Sequence, residues 1–227
     1  MQNAGKHNDY KIIVSLRNKF ILYAESKCDQ RQPKNTKGRL MKKAPIIIVC
    51  GMNHSGTSCI AKFLVDNGAY PGEYDISKNE PTPYIKYENT YFKNCCIELI
   101  KIPALKAPSN SVEKFINYIN KQSLNTPIIL KYPKSVYCLN TLSEIVGMNR
   151  VRTVFVMRNV VDAVQSNMNK TNASAQRMFQ YYNSTYQALL SYKGEVFITA
   201  FERIRIGLDT KNLLQYCCLD KIKNNDI

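Results

Sequence analysis

At 227 residues the chain is long enough for one sizeable α/β domain, or one domain with an extension, and too short for two full ones. Its 32 lysines and arginines outnumber 17 acidic residues for a net charge of +15, so an anionic ligand, a nucleic acid or an acidic polymer suits it as partner. No apolar run approaches the roughly 20 residues that span a bilayer, and Met1 to Lys6 do not read as a signal peptide, so a soluble, cytoplasmic protein with no membrane span is expected.

Residues 1–43 are basic and uneven and are predicted to form an N-terminal extension and linker, with the main domain over 44–227. Lys11 to Glu25 suits either a helix with Ile13, Leu16, Phe20 and Tyr23 on one side or a hairpin turning at Arg17-Asn18, and Cys28 to Lys43 is a polar linker. The run Ile46 to Val49 is β-branched without a polar break, which predicts a strand covered on both faces. A glycine turn follows, Gly51-Met52-Asn53-His54-Ser55-Gly56. Thr57-Ser58 then open a helix whose Ile60, Phe63 and Leu64 make an apolar stripe before Gly68 ends it. Such a turn aims backbone N–H groups and the positive end of a helix at one spot, which suits a phosphate.

Downstream, Tyr70 to Pro83 contains Pro71, Gly72, Pro81 and Pro83 and predicts a loop. A helix is predicted from Glu88 to Ile100, and Asn110 with Glu113 reads as a capping box for a helix burying Val112, Phe115, Ile116 and Ile119. Pro127 to Lys131 predicts a second strand, Thr141 with Glu144 a capped helix, and Val151 to Met157 a third strand. A helix from Val160 to Lys170 shows Val161, Val164 and Met168 on one face. Another runs from Ser174 to Tyr192, followed by a strand at Val196–Ala200 and a terminal helix near Leu213 to Cys218. This alternation predicts an α/β fold: a P-loop-like parallel sheet of four or five strands with helices on both faces and ligands at the carboxyl ends of the strands. Those ends carry the glycine turn, Lys131-Tyr132-Pro133-Lys134, Arg158-Asn159 and Phe201-Glu202.

Eight cysteines include two adjacent doublets and no C-x-x-C pair, a pattern unsuited to a disulfide framework and suggestive of a reducing compartment. The two histidines, His7 and His54, stand at no ligand spacing from a cysteine pair, so no metal is expected.

Two segments resemble the P-loop sulfotransferases, and the small bacterial-type members more than the cytosolic steroid and phenol branch. One is the glycine turn with the Thr57-Ser58 that follows it. The other is Arg158-Asn159-Val160-Val161-Asp162-Ala163-Val164-Gln165-Ser166, similar to the family's R-N-x-x-D-x-x-x-S. The resemblance implies transfer of a sulfuryl group from 3′-phosphoadenosine-5′-phosphosulfate (PAPS) to an acceptor hydroxyl or amine, without a metal. It implies that Gly51, Asn53, His54, Ser55, Gly56, Thr57 and Ser58 hold the 5′-phosphosulfate and that Arg158 and Ser166 hold the 3′-phosphate. Phe201 falls beside the adenine, and Lys131 touches the sulfuryl oxygens. The family's base is a histidine in K-x-H-L-P or a downstream glutamate. Lys131-Tyr132-Pro133 has no histidine, and Tyr87-Glu88-Asn89 resembles an F/Y-E-N element of the bacterial-type members, a resemblance that implies Glu88 as the base, with Glu73, Asp75 and Glu80 as alternatives. His54 departs from the family by standing where Lys or Arg is usual.

The acceptor is expected to be a saccharide, a protein or a small molecule. A nucleotide kinase is the rival enzyme, opposed by Thr57 where a triphosphate-binding loop has lysine. A catalytically silent module binding a nucleotide or nucleic acid is the rival of another class.

Overall fold

Strand β1 (Ile46–Gly51) is buried at every position, as its unbroken β-branched run requires. In the computed structural model, which describes residues 44–74, 76–77, 84–85, 87–101, 109–122, 125–171 and 173–219, β1 pairs in parallel with two neighbours. These are β4 (Ile128–Lys131) on one side and β5 (Val151–Met157) on the other, and β5 pairs in parallel with β6 (Val196–Ala200). The order is β4-β1-β5-β6. A separate two-stranded antiparallel ribbon joins β2 (Ile76–Ser77) to β3 (Tyr84–Ile85).

Because strand side chains alternate, β1 feeds two cores. Ile46, Ile48 and Cys50 pack with α2 (Thr90–Lys101), α3 (Asn110–Lys121) and α4 (Leu139–Val146). Ile47 and Val49 pack with α1 (Thr57–Asp66) and α8 (Thr210–Tyr216). Helices thus cover both faces, and the α/β fold expected from the alternation is the one that forms. A third cluster joins Met52 of the glycine turn to α5 (Val160–Thr171) and α6 (Ala175–Leu190). The first core also encloses four thiols, Cys50, Cys95, Cys96 and Cys138, none of them in a disulfide.

Several details differ from expectation. The residue capping α3 is Ser109, whose hydroxyl accepts from Val112 N, and Asn110 is already the first helical residue. Thr141 lies inside α4, because Pro133 has started a 3-10 turn over Pro133–Cys138 that runs straight into the helix. On α5 the buried stripe is Ala163, Val164 and Asn167, and Val161 is 60% exposed. The stretch after Gly68 is not all loop, since Tyr70 bridges to Ile128 and the β2–β3 ribbon follows. The terminal helix sits earlier, at Thr210–Tyr216. Residues 1–43, with both readings of Lys11 to Glu25, lie outside the described residues. No helix among the described residues is long and apolar enough to cross a membrane.

Candidate functional site

In this strand order the chain leaves central β1 for β4 on one side and returns to β5 on the other. The connections leaving the carboxyl ends of β1 and β5 therefore run to opposite sides, the switch point at which open α/β sheets form their ligand crevice. The glycine turn 52–56 emerges from β1 at that point, and Arg158-Asn159 from β5. Helices α1 and α5 both begin there, and their N-termini differ. Asn159 Oδ1 accepts from Val161 N (3.0 Å) and Asp162 N (3.4 Å), so α5 is capped from within. The N-cap of α1 is Gly56, which has no side chain to offer and so makes no side-chain cap.

Glycine is required at both ends of the turn. A Cβ on Gly51 would meet the Val156 carbonyl oxygen of β5 at 2.5 Å. Gly56 sits at φ 94, where a Cβ would meet the Phe201 side chain at 2.8 Å. Phe201, half-buried, opens α7 (Phe201–Arg205) and covers the turn at Gly56. His54 adopts φ 63, a left-handed conformation uncommon for a residue with a side chain.

Neighbouring elements fix the turn through its carbonyls. Ser55 donates from both N (3.2 Å) and Oγ (2.7 Å) to Met52 O, so its hydroxyl hydrogen is engaged within the turn. Asn167 Nδ2 donates to Asn53 O at 2.9 Å, and Arg158 Nη1 donates to His54 O at 3.0 Å. The Arg158 Nε is buried without a hydrogen bond, 3.9 Å from Glu202 Oε1, and Tyr182 OH donates to the Arg158 carbonyl at 3.3 Å. Thr57 and Ser58 are buried in the first turn of α1, and Ser166 is half-buried on α5 beside Asn167.

A second group lies one strand over. Lys131 pairs in register with Val49, and Tyr132 N donates to Val49 O at 3.2 Å, so Lys131 stands two residues short of Gly51 in the sheet. It is only 3% exposed, which rules out a surface lysine closing a strand. Its Nζ is 2.9 Å from Glu88 Oε1, and Lys93 Nζ is 3.3 Å from Glu88 Oε2. Burial pushes the Glu88 carboxyl up, but Lys131 and then Lys93 outweigh it and hold the pKa below the ordinary 4.5. The backbone around Glu88 is fixed as well. Tyr87 is at φ 52, and buried Asn89 accepts from Phe92 N (2.9 Å) while donating to Glu73 O (2.7 Å). Of the alternative carboxylates Glu73 is exposed, and Asp75 and Glu80 lie outside the described residues.

The sequence-predicted residues thus fall into two groups. The turn, Arg158 and Phe201 meet at the crevice, and Lys131 and Glu88 form an ion pair beside it. Asn167 was missed, although a polar residue four positions after Ala163 on the buried stripe of α5 was its signal. Tyr182 gave no local signal, since its role depends on a contact between separate elements, whereas Asn89 had one, an asparagine placed to cap the helix that begins at Thr90.

Together these features define an α/β protein with an uncapped helix N-terminus at the switch point of a parallel sheet. No protein-family model matches the chain, and no curated protein matches it.

Proposed function

We propose that the chain is a sulfotransferase that moves a sulfuryl group from PAPS to a hydroxyl or amine of its acceptor. The observation that carries this reading is the open N-terminus of α1, begun by left-handed Gly56 in the crevice that Arg158 also borders. The residues fit a phosphate. Arg158 retains a guanidinium N–H with no hydrogen bond, and the N-cap of α1 is a glycine with no side chain of its own to bond the first turn.

PAPS supplies the transferred sulfuryl group and a 3′-phosphate absent from ordinary nucleotides. The turn from Gly51 to Ser58 would cradle the 5′ end, with Arg158 and Ser166 on the 3′-phosphate, while Phe201 flanks the adenine. Such chemistry needs in-line positioning and charge neutralisation rather than a covalent enzyme intermediate. Lys131 offers the buried cation. Glu88, ionised at neutral pH, takes the acceptor proton once Lys131 has turned away from it, because a carboxylate held by two ammonium groups is a weak base.

The test is thermal stabilisation by 3′-phosphoadenosine-5′-phosphate (PAP) against AMP. PAP should raise Tm far more, and Arg158→Ala should remove most of the difference, worth about 2 kcal/mol for a charge-assisted contact. Equal shifts for the two nucleotides would sink the assignment. Turnover that needs magnesium would favour the kinase reading, since Thr57 stands in the place of the triphosphate-binding lysine.

A further inference from the structure

Between α7 and α8 the chain holds two aliphatic side chains out into water. Ile206 is 66% exposed and Leu208 61%. Gly207 between them, at φ 83, would meet nothing within 4 Å if it carried a Cβ. The turn is nevertheless firmly built. Gly207 N donates to Ile204 O and Leu208 N to Arg203 O, both at 3.0 Å, and Thr210 Oγ1 donates to Gly207 O at 2.9 Å. Beneath it Arg203 grips Asp209 through Nε and Nη2 at 2.7 Å each, and Thr199 Oγ1 donates to the same carboxylate at 2.9 Å. A turn fixed by this many bonds displays its apolar tip as a stable feature rather than a fluctuation.

The charges around the tip select its partner. Arg205 and Lys211 are exposed, Arg203 and buried Asp209 neutralise each other, and Glu202 of the same helix lies 3.9 Å from Arg158. Two exposed aliphatic side chains flanked along the chain by Arg205 and Lys211 suit a boundary that is apolar within and anionic at its surface. A nucleic acid offers the anionic surface but nothing for Ile206 and Leu208, since single-strand binders meet bases with aromatic rings. We infer that the 203–211 turn docks the protein on an anionic lipid surface, with Ile206 and Leu208 entering the acyl boundary and Arg205 and Lys211 at the headgroups.

The full chain should co-sediment with phosphatidylcholine vesicles containing phosphatidylserine and not with phosphatidylcholine alone. Ile206→Ser with Leu208→Ser should weaken binding about tenfold or more while leaving Tm unchanged, because neither side chain packs in the core. Arg205→Glu with Lys211→Glu supplies an independent loss should the serine variant fold poorly. The chain has no tryptophan, so Leu208→Trp introduces a sole indole emitter. Its emission should shift to the blue only with anionic vesicles and be quenched by brominated acyl chains. Absence of vesicle binding, the outcome if an acidic protein is the true partner, would overturn the inference. So would a serine variant that binds as the parent does, which would make the basic residues 1–43 the anchor, or an unshifted indole emission from the Leu208→Trp variant.

Discussion

Asn167 and Asn53 are 114 residues apart in the chain, and the side-chain amide of the first donates to the backbone carbonyl of the second at 2.9 Å. The same amide donates to Ala163 O of its own helix at 3.0 Å, so one buried group ties α5 to the glycine turn. Asn167→Ala should cost about 1–2 kcal/mol and lower Tm by about 4 °C, because the Asn53 carbonyl loses its donor from α5, whereas Ala163 O keeps its helical N–H partner. It should also shrink the PAP-induced shift. An unchanged melting curve would mean that the turn holds its shape without α5.

Lys131 and Glu88 form a pair whose members depend on each other. Glu88→Gln leaves a buried ammonium without its counter-charge and should destabilise by about 3 kcal/mol, whereas Glu88→Leu with Lys131→Met should recover most of that. Additive losses in denaturant melts of the two singles and the double would refute the coupling.

The pair also sets a pH dependence. The Glu88 pKa is lowered on folding, so its stabilising contribution is complete above the ordinary value of about 4.5 and fades as pH falls through the lower folded value. Between pH 7 and 5 the stability difference between wild type and the Leu/Met double variant should stay flat, then narrow on further acidification. A difference that narrows already near pH 6 would point to another group.

Gly56→Ala meets two obstacles, the left-handed backbone and the Phe201 side chain 2.8 Å from the new Cβ. A loss of about 2 kcal/mol with abolished PAP binding is expected. Phe201→Gly in the same chain should restore part of the stability, since it removes the Phe201 Cβ at 2.8 Å together with the ring atoms at 2.9 Å and leaves the φ strain. No rescue at all would locate the whole cost in the backbone.

At His54 the opposite substitution is informative. With φ 63, His54→Gly removes a conformational cost of up to about 1 kcal/mol, and Tm should hold or rise. If PAP still binds the glycine variant at parental affinity, the turn's backbone does the binding. A tenfold loss would assign the contact to the imidazole.

Local chemistry made the strands legible: the β-branched runs of β1, β5 and β6 end near where sequence alone puts them, and Ser174 caps α6 as its side chain suits it to do. Helix phase was harder to read. On α5 the bulkier Val161 suggests the inner face, but packing against Met52 and Met178 selects Ala163 and Val164. For the candidate site, the glycine turn and Arg158 are found by the rule that ligands gather at strand ends, and the crevice brings them together. What Arg158 holds is not legible, because its contact with His54 O spans 104 residues and depends on strand pairing. The burial of Lys131 is hidden for the same reason, since Glu88 reaches it across 43 residues and only the folded sheet brings them within 2.9 Å.

The thiols beneath the glycine turn act as a built-in clock. Of the described cysteines, Cys59 and Cys218 are exposed, and Cys50, Cys95, Cys96, Cys138 and Cys217 are buried. Burial pushes the Cys50, Cys95 and Cys96 thiols well up in pKa, so they are starved of thiolate as well as shielded. A thiol reagent added to native protein should therefore react in two phases. The slow phase measures how often the cores open, through Cys50, Cys95, Cys96 and Cys138 in the first and Cys217 in the second, residue Cys50 being the last before Gly51. A ligand seated in the glycine turn should slow that phase by the factor with which it stabilises the closed state, and leave the labelling of Cys218 untouched.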